Sequence, residues 1–255
     1  MKPPREGKAK PTSAAPTLAA IRAELQGLGD PVRGTHSQRF FKTGPGQYGE
    51  GDKFLGLTVP EMRGIVRKYR ELDDAAVLEL LSSSWHEERL VALLLMVEAY
   101  DSGDDSRRAL IHRAYLANTA QINNWDLVDA SAGDIVGQHL KAGDITLIER
   151  LARSENLWER RIAIVSTFYF IKRNEFRPTL KIAALLLRDP HDLIHKAGGW
   201  MLREVGKRDR KTLDGFLKKH YQQMPRTMLR YAIERHPERI RKQYLAGTIE
   251  RTETP

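Results

Sequence analysis

Trp85, Trp125, Trp158 and Ile194 stand 40, 33 and 36 residues apart, and each heads a segment of similar make-up. The segments run Trp85-His86-Glu87-Glu88-Arg89-Leu90, Trp125-Asp126-Leu127-Val128-Asp129, Trp158-Glu159-Arg160-Arg161-Ile162 and Ile194-His195-Lys196-Ala197. A period of this length matches a helix–turn–helix repeat of the HEAT type. Such repeats stack into a curved solenoid whose aligned second helices line one concave face. The expected fold is therefore all-α, a HEAT-like repeat solenoid of antiparallel helix pairs. Trp125, Asp129, Arg161 and Trp200 fall on successive second helices, so they are expected to converge on one groove.

Helical periodicity continues along the chain. Leu18, Ile21, Leu25 and Leu28 share a face. Thr58-Val59-Pro60-Glu61 is a capping box with proline in the first turn, where its missing N–H costs nothing. Asp73 caps a helix carrying Val77, Leu78, Leu80 and Leu81. Further helices are predicted over 85–101, 105–118, 123–140, 144–153, 156–172, 177–188, 191–207, 209–222, 225–235 and 237–245. No run of alternating strands is present. The stretch Thr43 to Asp52, with its glycines and proline, excludes a regular helix.

The domain expectation is one repeat domain over 16–245. It is flanked by a disordered basic, Pro-rich tail over 1–15 and a flexible C-terminal tail over 246–255. The start lacks the apolar core of a secretory signal, and no apolar run is long enough to span a membrane. With no cysteine, disulfides, thiolate nucleophiles and cysteine zinc sites are excluded. A cytoplasmic monomer is expected, associated with the nucleoid of a bacterium.

The net charge is +9, which points to a polyanionic partner. The excess is uneven: residues 191–255 hold 15 Lys plus Arg against 8 Asp plus Glu, a difference of +7. Arg203, Lys207, Arg208, Arg210 and Lys211 form one cluster; Arg226, Arg230, Arg235 and Arg239 form another. Each is either a phosphate-binding surface or a solvated face balanced by acids, and their concentration near one end favours nucleic acid.

Trp125 and Asp129 are four residues apart, one helical turn on one face. A carboxylate beside an indole face holds a cation through charge and ring quadrupole together. On a polyanion-binding chain this suggests a cationic group carried by a polyanion, and an alkylated base in DNA fits. An N3- or N7-alkylated purine is positively charged and a good leaving group. Breaking its glycosidic bond leaves positive charge on the deoxyribose, which a fixed carboxylate stabilises. The same group can orient or deprotonate the attacking water.

Other chemistries are poorly supported. His191 and His195 have an i, i+4 spacing but no His-Glu-x-x-His pattern and no third ligand, so no metal site is assigned. Thr43-Gly44-Pro45-Gly46 lacks the Lys-Ser/Thr ending of a nucleotide-binding loop, and no Gly-x-Ser-x-Gly elbow occurs.

Trp125-Asp126-Leu127-Val128-Asp129, Leu157-Trp158-Glu159-Arg160-Arg161-Ile162-Ala163-Ile164 and Lys196-Ala197-Gly198-Gly199-Trp200-Met201-Leu202-Arg203-Glu204 resemble signature segments of the AlkD-like DNA alkylation repair glycosylases. So does Phe54-Leu55-Gly56-Leu57-Thr58-Val59-Pro60-Glu61-Met62-Arg63, and the resemblance covers roughly residues 16–245. It implies HEAT-like repeats that bind double-stranded DNA in a concave face. It also implies release of N3- and N7-alkylated purines with no metal and no nucleotide cofactor. By this resemblance Asp129 is the catalytic acid, Trp125 and Trp200 the lesion or sugar contacts, and Arg161 the groove arginine, placed to hold a phosphate. Lys196, Arg203, Lys207, Arg208, Arg226 and Arg230 complete the expected DNA-binding set.

The chain departs from the family at the Gly-rich segment 40–53, where other members are more helical. Related branches keep the scaffold yet show little or no base excision, and they differ in N-terminal elements. Two alternatives therefore stand beside a glycosylase. One is a catalytically weak or inactive solenoid that binds damaged or branched DNA; the other is a HEAT-like protein-interaction scaffold. Tyr48, inside the loop, is either a base or sugar contact or a plug that seats the loop on the core. Trp158, which repeats the position of Trp85, is expected to pack rather than bind. Gly198-Gly199 lets a backbone or ligand approach, or relieves a helix crossing.

Overall fold

The computed structural model describes residues 16–140 and 144–249. The helices are α1 (Leu18–Gly27), α2 (Pro31–Phe40), α3 (Val59–Lys68), α4 (Asp74–Leu81), α5 (His86–Ser102), α6 (Asp105–Ala117), α7 (Trp125–Asp129) and α8 (Thr146–Leu151). They continue with α9 (Leu157–Ser166), α10 (Phe168–Ile171), α11 (Arg177–Leu185), α12 (Asp192–Arg208), α13 (Arg210–His220), α14 (Arg226–Ala232) and α15 (Glu238–Ala246). Among the described residues there is no strand, only a single parallel bridge between Lys53 and Trp85. The all-α expectation holds.

Contacts between helices sort them into two rows. One row runs α5, α7, α9, α12, α14, each packed on the next. The flanking row packs behind it, α4 and α6 on α5, α8 on α9, and α11 and α13 on α12. The repeat heads Trp85, Trp125, Trp158 and Ile194 all lie at or near the start of a first-row helix. The core between the rows is aliphatic, with Ile21, Leu80, Leu93, Leu127, Ile135, Ile162, Ile194 and Leu217 fully buried.

Local signals act as their chemistry dictates. Thr58 N donates to Glu61 Oε2 at 2.6 Å and completes a capping box. Asp73 accepts from Ala76 N at 2.9 Å and starts α4. Ile21 and Leu25 are buried, but Leu28 caps α1 and stays 41% exposed.

Two predicted helices are broken. The 123–140 helix is α7 followed by a π-helical turn at Gly133–Gly137. There Ser131 Oγ donates to Leu127 O at 2.6 Å. A Cβ on Gly137 would lie 2.2 Å from Ser166 O, so the glycine admits the backbone of the next repeat. The 156–172 helix divides at Thr167 into α9 and α10. Thr167 Oγ1 donates to Ile164 O at 2.6 Å and Ser166 Oγ to Ile162 O at 2.6 Å, back-bonding that bends helices.

The expected basic tail over 1–15 lies outside the described residues, as does the C-terminal tail from 250. Of that tail, residues 246–249 are described. Gly247 closes α15 in the left-handed conformation, and the Tyr221 hydroxyl sits 3.2 Å from Gly247 O and 3.3 Å from Ile249 O.

Candidate active site

α7 is only one turn long, and its start is fixed by Asn124. This fully buried residue accepts from Trp125 N through Oδ1 at 2.8 Å. The turn presents Trp125 and Asp129 to a cavity of about 430 Å³. α9 contributes Arg161 to its wall, α12 contributes Lys196, Trp200 and Arg203, and α14 contributes Tyr231. Phe40, Lys42 and Tyr48 close it on the N-terminal side. Residues from Phe40 to Tyr231 thus meet at one place on the first row of helices.

Asp129 and Arg161 form a bidentate pair. Arg161 Nε donates to Oδ1 at 2.9 Å and Nη2 to Oδ2 at 2.8 Å. Arg161 Nη1 donates to Leu193 O at 2.6 Å, fixing the guanidinium between α7 and α12. Arg161, expected to hold a phosphate, is 4% exposed and commits three donors to protein. Burial pushes the Asp129 carboxyl above the ordinary range; Arg161 opposes this and the charge of Asp126 adds to it.

The two indoles are half-buried and differently held. Trp125 stacks on Phe41 at 5.4 Å and 22°, and Phe40 meets it edge-on at 6.0 Å. Tyr48 lines the same cavity, and burial pushes its phenol above the ordinary value. Trp200 lies 5.9 Å from Phe168. The Gly198-Gly199 pair beside it serves a helix crossing. A Cβ on Gly199 would come within 2.5 Å of both Met228 O and Tyr231 Cβ, so α14 and Tyr231 could not seat against α12. Trp158 is buried in the core and meets the edge of Tyr48 at 5.7 Å.

The expected cationic set divides. Lys196 and Arg203 reach the cavity, but Lys196 pairs with Asp192 at 2.8 Å and Arg203 with Glu234. Lys207 pairs with Glu204 at 2.6 Å, and Arg226 donates to Leu245 O. Arg208 and Arg230 are exposed and have no ion pair among the described residues. These last four lie outside the cavity lining. His191 and His195 serve the backbone: His191 Nδ1 accepts from Leu193 N at 3.2 Å, and His195 Nε2 lies 2.6 Å from Asp189 O.

Sequence reasoning missed Phe40, Lys42 and Tyr231, and also a buried network beneath Trp125. His86 Nε2 lies 2.7 Å from Asp126 Oδ2, and its Nδ1 lies 3.6 Å from Asp52 Oδ2. Arg89 Nη2 pairs with Asp52 at 2.7 Å. Glu87 accepts from Leu55 N and Gly56 N at 2.9 and 2.8 Å, and Glu88 from Arg22 Nε at 3.1 Å. Four consecutive charged residues, each at most 3% exposed, therefore open α5 with partners inside the protein, Asp52 being shared by His86 and Arg89. Such a charged run ahead of an apolar helix was the available signal.

A family model described as DNA alkylation repair enzyme matches residues 21–236. Among solved structures, a predicted DNA alkylation repair enzyme from Enterococcus faecalis aligns with a TM-score of 0.63 at 17% identity, covering 82% of this chain and 97% of that one. At that identity the likeness speaks for the fold. No curated protein shows significant similarity. The family match spans most of the chain and includes every first-row helix, so the chain belongs to the DNA alkylation repair enzyme family.

Proposed function

We propose that this protein is a DNA glycosylase that hydrolyses the N-glycosidic bond of cationic N3- and N7-alkylated purines in double-stranded DNA. The observation that carries the reading is Asp129: a carboxylate fixed by Arg161 in a pocket lined by Trp125 and Trp200. Each carboxylate oxygen accepts one bond from Arg161 and keeps lone-pair capacity for another partner. A site for an oxocarbenium-like sugar needs such a held anion in a water-poor wall. The indoles pack against sugar and cationic base and favour the charged lesion over a neutral purine. Arg161 serves as the orienting partner of Asp129, and the exposed Arg208 and Arg230 serve as phosphate contacts.

Substrate charge supplies part of the driving force, because the cationic purine departs as a neutral base. Asp129 then stabilises the sugar cation and orients water toward C1′. The immediate test is product analysis. Duplex DNA carrying N7-methylguanine or N3-methyladenine should yield the free base and an abasic site. DNA bound but left intact would favour the alternative of a non-excising binder of damaged or branched DNA.

A further inference from the structure

His86 ties the loop that walls the pocket to the turn that carries Asp129. Its ring packs against Phe41 and Phe54, with centroids 4.9 and 4.7 Å away, and Phe41 stacks in turn on Trp125. Nε2 lies 2.7 Å from Asp126 Oδ2, and Nδ1 lies 3.6 Å from Asp52 Oδ2. With a carboxylate opposite each ring nitrogen, only the imidazolium presents an N–H to both. His86 N donates to Lys53 O at 2.8 Å, so backbone and side chain grip the loop together. At 2% exposure this cation is out of water and depends on its two acids.

α7 carries two acids on one turn. Asp126 and Asp129 are three positions apart, neighbours on a helical surface where like charges oppose each other. Each has a buried cation of its own, Arg161 for Asp129 and His86 for Asp126. Asp126 is held further because its Oδ1 accepts from Leu127 N at 2.9 Å. Around His86 the other charged groups are Asp52, paired with Arg89, and Lys53, whose ammonium lies over the Trp85 ring. Glu87 and Glu88 turn away to Leu55 N, Gly56 N and Arg22. Around Asp129, Lys42, Tyr48 and Tyr231 line the cavity with Lys196 and Arg203, the last two paired with Asp192 and Glu234. From α6, Tyr115 is the further titratable group that feels Asp129. His86 itself stands outside the cavity lining, one step removed from the acid.

We propose that His86 is a positioning residue for base release: its imidazolium, clamped by Asp126 and Asp52, holds the α7 turn against the loop and balances the second acid of that turn, so that Asp129 remains ionised. Its bearing on catalysis rests on the glycosylase reading; the charge balance does not. Burial already pushes the Asp129 carboxyl upward, and the charge of Asp126 adds to it. An Asp126 stripped of its imidazolium adds more, and Asp129 then takes up a proton where it is needed as an anion for the sugar cation. In the intact network the second negative charge of α7 is met inside the protein, and that cost is contained.

The test follows the Asp129 carboxyl by carbon-13 NMR across pH, assigned by comparison with Asp129→Asn, beside the single-turnover pH–rate profile for N7-methylguanine release. His86→Gln keeps a hydrogen-bonding side chain and loses the charge. It should raise the Asp129 midpoint by about 1 pH unit, and the acid limb of release should move with it. Adding Asp126→Asn should return both to the wild-type position or below, because the charge that reached Asp129 is then gone. An unchanged midpoint in His86→Gln, or a rise that persists in the double variant, overturns the proposal. Should the single variant fail to fold, the double variant carries the test with its neutral hydrogen-bonding pair. A midpoint above wild type then overturns the proposal, and one at or below it sustains the balance. Should wild type release no base, the glycosylase reading fails, and the carboxyl titration alone decides whether His86 governs the charge of Asp129.

Discussion

Asp129 and Arg161 face each other through two parallel hydrogen bonds of 2.9 and 2.8 Å, with Arg161 anchored to Leu193 O behind them. A planar guanidinium matched to a planar carboxylate fixes both the position and the tilt of the acid. The pair joins three first-row helices, α7, α9 and α12. Holding the acid and holding the stack are therefore one structural task.

Arg161→Ala should lower the unfolding free energy at neutral pH by at most about 3–5 kcal/mol, because it removes a buried guanidinium and leaves a largely buried carboxylate, its side chain 19% exposed, without its partner. The deficit should shrink as pH falls and Asp129 takes up a proton. Urea denaturation at two pH values checks this; an unchanged midpoint at neutral pH would show that the pair carries no stability.

Base release should fall on the acid side with a midpoint above the ordinary aspartate value of about 3.9. Burial and Asp126 push Asp129 upward, and only its ionised form stabilises a sugar cation. Arg161→Lys, which loses the bidentate geometry, should move that midpoint higher. A pH–rate profile under single-turnover conditions measures both.

His86 supplies a second pH dependence, of opposite chemistry. Burial disfavours its charged form, but the hydrogen bond and charge of Asp126, with Asp52 behind, win and push the imidazole up to about 9. A folded value above the unfolded one means stabilisation that is complete below about 6.5 and lost as pH rises through about 9. Wild type should exceed His86→Gln by about 3 kcal/mol near pH 6, and the gap should close toward pH 9. A gap that stays constant across that range would place the proton elsewhere.

DNA affinity should drop steeply with salt through counterion release. Arg208 and Arg230, exposed and without ion pairs among the described residues, should each shallow the log–log salt slope by about 1 when replaced by alanine. Lys207, paired with Glu204, should change it less. Titration at four salt concentrations distinguishes the two classes.

Much of the scaffold was legible because helical periodicity is local. The capping box at Thr58 and the Asp73 cap each depend on residues a few positions apart, and the repeat heads show as a recurrence every 33–40 residues. The breaks at 130–137 and at Thr167 were not, since Gly137 answers to Ser166 O in the next repeat. In the pocket, Trp125 and Asp129 announced themselves by spacing on one turn. Arg161 did not announce its partner, which is 32 residues away. The glycines of the 43–52 loop told only what it is not. Its role as a wall follows from Phe41 stacking on Phe54 and Trp125, contacts that composition cannot encode.

The central claim concerns the carboxylate of Asp129, and single-turnover release of N7-methylguanine by wild type and Asp129→Asn tests it most directly. The asparagine keeps the shape of the side chain and removes its charge. Release should slow by about 10²–10³-fold while affinity for the lesion duplex stays within a few-fold of wild type. Equal rates for the two proteins would contradict the account.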